Sequence, residues 1–247
     1  MRFASIVCFL SATAFAGEPP APLKCLTRLY GGSAAERNGA WFLDLPDGKS
    51  IPYDDQKPKS FDEKLETPDI EDAFSIRYRP GAIQPVNAEN DDPGRIRVEA
   101  LFANTYGQSE AKVAVVSIEL LGQKLRVHKR VAPVFERLAK RLAALVAADP
   151  SLKPFLTKLG GTFNWRNIAG TDRQSAHSYG VSLDINVERS DYWRWQKGKL
   201  KWVNRIPQKI VDAFEAEGFI WGGRWYHFDT MHFEYRPELL DMACYPH

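Results

Sequence analysis

The segments SAHSYGVSLD (175–184) and HFDTMHFE (227–234) hold three of the chain's five histidines and two aspartates, set among residues typical of buried strands. Imidazole nitrogen and carboxylate oxygen suit Zn²⁺, and a site with three protein ligands keeps a fourth position open for water. An open position separates a reactive metal from a structural one, so the residue types point to metal-assisted hydrolysis. A carboxylate just outside the metal shell can take a proton from water and pass it to a leaving amine. Asp229, three residues before His232, is placed for that work.

The elements that position these groups follow from periodicity. Val181, Leu183, Ile185 and Val187 alternate with Ser182, Asp184 and Asn186, which predicts a strand with one apolar and one polar face. Gly180 permits a tight approach before that strand, bringing His177 over Asp184. Two metal ligands, or a surface aspartate and a satisfied core histidine, both account for this segment. In the second segment the run Trp225, Tyr226, Phe228, Met231, Phe233, Tyr235 is so aromatic that His232 requires a polar partner. Residues three apart on an unbroken strand face opposite ways, so the chain must bend over 229–231 if Asp229 and His232 serve one site. An amphipathic helix is predicted from Val131, Val134, Phe135, Leu138, Leu142, Leu145 and Val146, stopped by Asp149-Pro150. A second runs from Pro207 to Glu217 and ends at Gly218. Helix, strand, helix, strand is an α+β order.

The pattern S-x-H-x-x-G-x-(A/S)-x-D followed by D-x-x-H, carried by Ser175, His177, Gly180, Asp184, Asp229 and His232, resembles the VanY-like D-alanyl-D-alanine carboxypeptidase and L-alanyl-D-glutamate endopeptidase family of zinc peptidases. Ser182 stands where that family usually has Ala. The resemblance covers about residues 130 to 240. It implies that His177, Asp184 and His232 hold zinc and that Asp229 is the general base; an aspartate base leans toward the endopeptidase-like branch. It also implies an upstream arginine that polarises the scissile carbonyl. Arg166, after an apolar-polar stretch ending at Trp165 and so expected at a strand end, is preferred. Arg173 is assigned to the substrate's carboxylate or to bracing the loop, Ser175 to the substrate side of the site, and His227 to the substrate side or to a place just behind the metal ligands. Glu234 is read either as an acceptor orienting His232 or as an exposed or structural residue. Packing explains most of the tryptophans, with Trp193 and Trp195 the expected exposed exceptions. The fold expected is a small antiparallel sheet packed by helices and carrying the zinc site.

Upstream, 17–125 reads as an irregular β-containing extension to a catalytic domain over 126–247. Its β-like runs are AWFLDL, FSIRY and RIRVEALF, followed by a strand at 112–121 that turns at Gly122-Gln123 into KLRVHKR. Residues 1–16 carry Arg2, a mostly apolar stretch and the small-x-small signal Ala14-Phe15-Ala16, which predicts a cleaved leader and a secreted or periplasmic protein. The apolar stretch falls short of the roughly 20 residues a membrane span needs. Cleavage removes Cys8 and leaves Cys25 and Cys244, an even pair for which an oxidising compartment predicts a disulfide. The formal charge of +2 and the short, interleaved basic clusters exclude a nucleic-acid partner. The expected partner is a peptidoglycan stem peptide, met by a monomer. Two rivals remain: a zinc-holding wall-binding module without catalysis, and a metal-free hydrolase using Asp184 and Asp229 as an acid/base pair.

Overall fold

The computed structural model describes residues 17–245; the predicted leader with Cys8, and His247, lie outside the described residues. Helix α1 (Ala21–Tyr30) leads into an antiparallel meander of β1 (Ser33–Arg37), β2 (Ala40–Asp44) and β3 (Ser50–Pro52). Two short helices follow, α2 (Phe61–Glu66) and α3 (Ile70–Ala73), each opened by a reciprocal capping box, Ser60 with Glu63 and Asp69 with Asp72. The AWFLDL run forms β2, but the other two expected β-runs do not pair. FSIRY leaves α3 as irregular chain, and RIRVEALF divides into an irregular strap that begins in a turn and helix α4 (Glu99–Tyr106). The apolar residues of RIRVEALF are satisfied by that helix, which buries Leu101, Phe102 and Tyr106. The first half is thus as helical as it is β.

A hairpin joins β4 (Val115–Leu120) to β5 (Gln123–His128). Leu120 pairs with Gln123, so the turn residues are Leu121 and Gly122, one earlier than expected, both with positive φ (50° and 77°) as a tight hairpin demands. Helix α5 (Ala132–Ala148) buries Val134, Phe135, Leu138 and Leu142 as its periodicity predicts, and Asp149 caps its end. The site is carried by a four-stranded antiparallel sheet of β6 (Leu159–Gly161), β7 (Ser182–Asn186), β8 (Phe219–Trp221) and β9 (His232–Tyr235), in the order β6-β7-β9-β8. Helix α6 (Gln208–Glu215) precedes β8, and α7 (Pro237–Leu240) follows β9. The α+β expectation holds.

The sheet's two faces differ in chemistry. Leu183, Ile185, Phe219, Trp221 and Phe233 are fully buried. Phe233 stacks on Phe214 of α6 at 3.8 Å and Phe219 meets Phe135 of α5 at 5.0 Å. The other face carries Ser182, Asp184, His232 and Glu234. It is polar yet enclosed: Ser182 is 0% and Glu234 4% exposed. A covered polar face is where a site belongs.

Buried residues from both halves form one contiguous core, from Leu23 of α1 to Tyr245. Cys25 and Cys244 are disulfide-bonded with Cα atoms 5.3 Å apart, and Tyr30 of α1 donates to Glu238 of α7 at 2.5 Å. Among the described residues, no helix is long and apolar enough to cross a membrane. The bridge closes a loop of 219 residues. Replacing both cysteines with alanine should lower unfolding stability by roughly 2–5 kcal/mol. Urea unfolding checks this: dithiothreitol should shift the native midpoint down and leave the double variant's unmoved.

Candidate metal and catalytic site

Three elements bring the expected ligands together. His177 sits in a single 3₁₀ turn, Ala176–Tyr179, opened by the Ser175 side chain and closed by Gly180 in the left-handed conformation (φ +64°). A Cβ at Gly180 would stand 2.8 Å from the His128 amide nitrogen, so the close approach read from the sequence is made to β5. Asp184 lies at the middle of β7 and is in register with His232 at the start of β9. Across β6, Asp184 pairs with Gly161, and a Cβ on the neighbouring Gly160 would stand 3.0 Å from the Asp184 Cβ, so glycine there leaves the aspartate room. His177 Nε2 lies 3.1 Å from Asp184 Oδ1 and 3.2 Å from His232 Nδ1, and His232 Nδ1 lies 2.9 Å from Asp184 Oδ1. Three ligand atoms about 2.1 Å from one tetrahedral ion would stand about 3.4 Å apart. The trio fits a divalent metal.

The surroundings fix which nitrogen faces inward. His177 Nδ1 donates to the Thr162 carbonyl at 2.6 Å, leaving the Nε2 lone pair for the cluster. His232 presents Nδ1, and its Nε2 lies 3.6 Å from Glu234 Oε2. Glu234 is buried and also lies 3.3 Å from Arg236 Nη1, so it is an internal ion-pair partner and not an exposed residue. Burial opposes charge on His232, but the Asp184 and Glu234 carboxylates outweigh it and push the metal-free ring up to about 10. Burial likewise opposes ionisation of Asp184, yet the His177 and His232 rings hold its carboxyl far below the usual range. A metal would compete with protons for these rings, so its affinity should fall with acid.

Asp229 stands where the chain turns into β9: the His232 amide donates to its carbonyl at 3.1 Å, the bend that the spacing required. Its own amide donates to the Gly222 carbonyl at 3.0 Å, and a Cβ on Gly222 would come within 2.5 Å of the Asp229 carbonyl oxygen. Asp229 Oδ1 is shielded from solvent and has no hydrogen-bond partner among the described residues. Burial, then the charge of Asp184, pushes the Asp229 carboxyl up to about 7. A carboxylate so poised can gain and lose a proton near neutrality.

These groups open on a cavity of about 270 Å³ whose walls include His177, Asp184, Asp229 and His232. Arg166, Arg173, Ser175 and His227 also line it, so every sequence-derived site residue reaches one pocket. Their local duties vary. Arg166 is not at a strand end: β6 stops at Gly161, and the arginine lies in a loop held by Ser178 Oγ, which accepts from its amide at 2.8 Å. Its side chain is exposed at the mouth. Arg173 lies 3.2 Å from Glu66, and burial together with the adjacent Arg95 draws its pKa down. Trp195 is 56% exposed as expected, whereas Trp193 is half-buried on the cavity wall, edge-on to His227 at 4.7 Å.

Sequence reasoning missed Arg95 and Arg97, which line the cavity from the strap before α4, and the Gly222-Gly223 pair beneath Asp229. The apolar pattern of RIRVEALF masked the arginines; the paired glycines before an aromatic run were a usable signal. Gly222→Ala should displace Asp229 and lower turnover about tenfold or more, with metal content retained; kinetics and metal analysis check both. In metal-free protein, the raised Asp229 pKa means the folded state holds that proton more tightly than the unfolded chain. Its stabilisation is complete below the ordinary carboxylate pKa and is lost as pH rises through about 7. Asp229→Asn should therefore be more thermostable than the parent at pH 8 and lose less stability between pH 4 and 8, as scanning calorimetry would show.

Residues 169–235 match the family model described as D-alanyl-D-alanine carboxypeptidase. No solved structure matches the chain. The matched span contains His177, Asp184, Asp229 and His232, which is the part of the resemblance that carries the chemistry. Peptidases of this family are generally metal-dependent, in agreement with the clustered ligands. Over residues 169–235 the chain is similar to the VanY-like D-alanyl-D-alanine carboxypeptidase family of peptidases.

Proposed function

We propose that the chain is an exported zinc metallopeptidase that hydrolyses an amide bond in the peptide part of bacterial peptidoglycan, as a D-alanyl-D-alanine carboxypeptidase or an L-alanyl-D-glutamate endopeptidase. The observation that carries this reading is the approach of His177 Nε2, Asp184 Oδ1 and His232 Nδ1 to within 3.2 Å of one another beside the unpartnered carboxylate oxygen of Asp229. Two imidazoles and one carboxylate suit zinc better than the hard, all-oxygen cages that calcium and magnesium prefer. The predicted leader and the bonded Cys25–Cys244 pair support export to an oxidising compartment.

Zinc held by the trio would supply a Lewis acid for the scissile carbonyl and acidify a water molecule. The chain's own residues do the rest. Asp229 accepts the proton of the attacking water and returns it to the nitrogen of the leaving amine as the C–N bond breaks. Arg166 donates to the carbonyl oxygen as negative charge develops there, an interaction that strengthens toward the transition state. Arg173, Ser175 and His227 line the same cavity and hold the substrate. A wall-binding module without catalysis would have no need of a proton carrier and a cation on the cavity wall. An Asp184–Asp229 acid/base pair would leave His177 and His232, both in contact with Asp184, without work.

The test uses the purified chain and defined muropeptides as a monomeric enzyme. Zinc should bind in a 1:1 ratio and a chelator should abolish cleavage. Asp229→Ala should keep the metal but lose at least about 10²-fold in kcat. Unchanged cleavage by that variant would remove the assigned base, and unchanged cleavage after chelation would remove the metal.

A further inference from the structure

The strap 91–97, which turns at 93–95 where the Arg95 amide donates to the Asp92 carbonyl, lies outside the segment that matches the family model and is sewn onto the catalytic pocket. The Tyr226 amide donates to the Asp91 carbonyl at 2.9 Å, Trp225 Nε1 to the Pro93 carbonyl at 2.8 Å, and Arg236 Nη1 to the Gly94 carbonyl at 2.9 Å. Gly94 has φ +93°, and a Cβ there would meet Ile220 at 2.5 Å, so only glycine lets the strap lie this close. Within the strap, Asp92 is fully buried and spends both carboxylate oxygens on the pocket wall. Oδ1 accepts from the His227 amide at 2.9 Å; Oδ2 accepts from His227 Nδ1 at 2.6 Å and from Arg95 Nη1 at 2.9 Å. Burial opposes the charge on Asp92, but these donors outweigh it and hold the carboxyl below its usual range.

A carboxylate only accepts, so Nδ1 of His227 carries the proton and Nε2 is the nitrogen left for the cavity that His227 lines. Arg95 lines the same cavity, and its guanidinium is bonded to the same oxygen as the imidazole. One buried anion thus places a hydrogen-bond acceptor beside a cation. We propose that Asp92 is a positioning residue that sets His227 and Arg95 as a paired acceptor and cation for an amino acid bearing a free carboxylate next to the scissile bond. Nε2 accepts from that residue's N–H, and Arg95 binds its carboxylate. The proposal rests on the peptidase reading above and adds to it a wall built by the N-terminal half.

The experiment measures cleavage of a stem peptide ending in a free carboxylate and of its C-terminal amide, by the full-length, metal-loaded protein. Wild type should prefer the acid at least about tenfold in kcat/KM, the worth of one charged hydrogen bond. Arg95→Gln should collapse that preference, acting chiefly through KM. Asp92→Asn should do the same, with zinc content and thermal midpoint close to wild type. If Asp92→Asn does not fold, His227→Gln takes its place and should lower the preference with Arg95→Gln. Wild type that cleaves both peptides equally, or variants that keep the wild-type preference, would overturn this proposal and leave the peptidase reading standing. Wild type that cleaves neither peptide would overturn both.

Discussion

Asp184 faces His232 because β7 and β9 pair with Ser182 opposite Glu234, and every distance in the ligand cluster depends on that register. Side chains alternate along a strand, so a slip of one residue would turn Asp184 to the apolar side and carry Leu183 into the pocket. What forbids the slip lies on the far face. Phe233, opposite Leu183, is stacked on Phe214, with Trp221 behind it. Moving Phe233 to the polar face would expose a buried ring and leave a cavity of its size against α6, a change worth several kcal/mol. The apolar packing on one face of the sheet therefore enforces the chemical geometry on the other.

The polar face sets a different problem. Two imidazoles and one carboxylate within hydrogen-bond distance of each other, with a second carboxylate beside them, are expensive to enclose without compensation. Some of the compensation is visible behind His232. Glu234 meets Arg236, Arg236 meets Glu238 at 2.5 Å, and Glu238 accepts from Tyr30 of α1. Buried ion pairs of this kind are weak evidence of net stability, but removing one member leaves the next charge uncompensated. A divalent cation held by the trio would supply the remainder, neutralising Asp184 and taking the lone pairs that otherwise compete for protons. Ser182, the departure from the family's usual Ala, adds a small cost: its hydroxyl is buried without a partner among the described residues.

The C-terminal half is legible because its chemistry and its periodicity agree. Alternation around Asp184 predicted β7, the i, i+3, i+4 stripe predicted α5, and an imidazole stranded among aromatics announced His232. The loops were harder. Arg166 was assigned to a strand end from local pattern, whereas β6 is only three residues long and ends at Gly161. The N-terminal half was read poorly because short apolar runs fit strands and helices alike. RIRVEALF has both an alternating start and a helical end, and tertiary context split it at Glu99. That misreading hid Arg95 and Arg97, whose value lies in contacts about 80 residues away along the chain, such as that of Arg97 with the Gln174 carbonyl. No local signal encodes such a contact.

Reach of this kind also explains why the first half cannot be treated as an appendage. Its α1 is covalently joined to the last turn through Cys25 and Cys244, and its Tyr30 terminates the ionic chain that begins at His232. Its strap supplies carbonyls to Trp225 and Arg236, two side chains packed around β9, and a carboxylate to His227. Loosening the strap would uncover one wall of the cavity and admit water beside Asp229, whose proton affinity depends on burial. Asp229 keeps that affinity only while the wall is shut, so the basicity of a group in the last twenty residues is set partly by chain near residue 92. The site is local in its ligands and global in its dielectric.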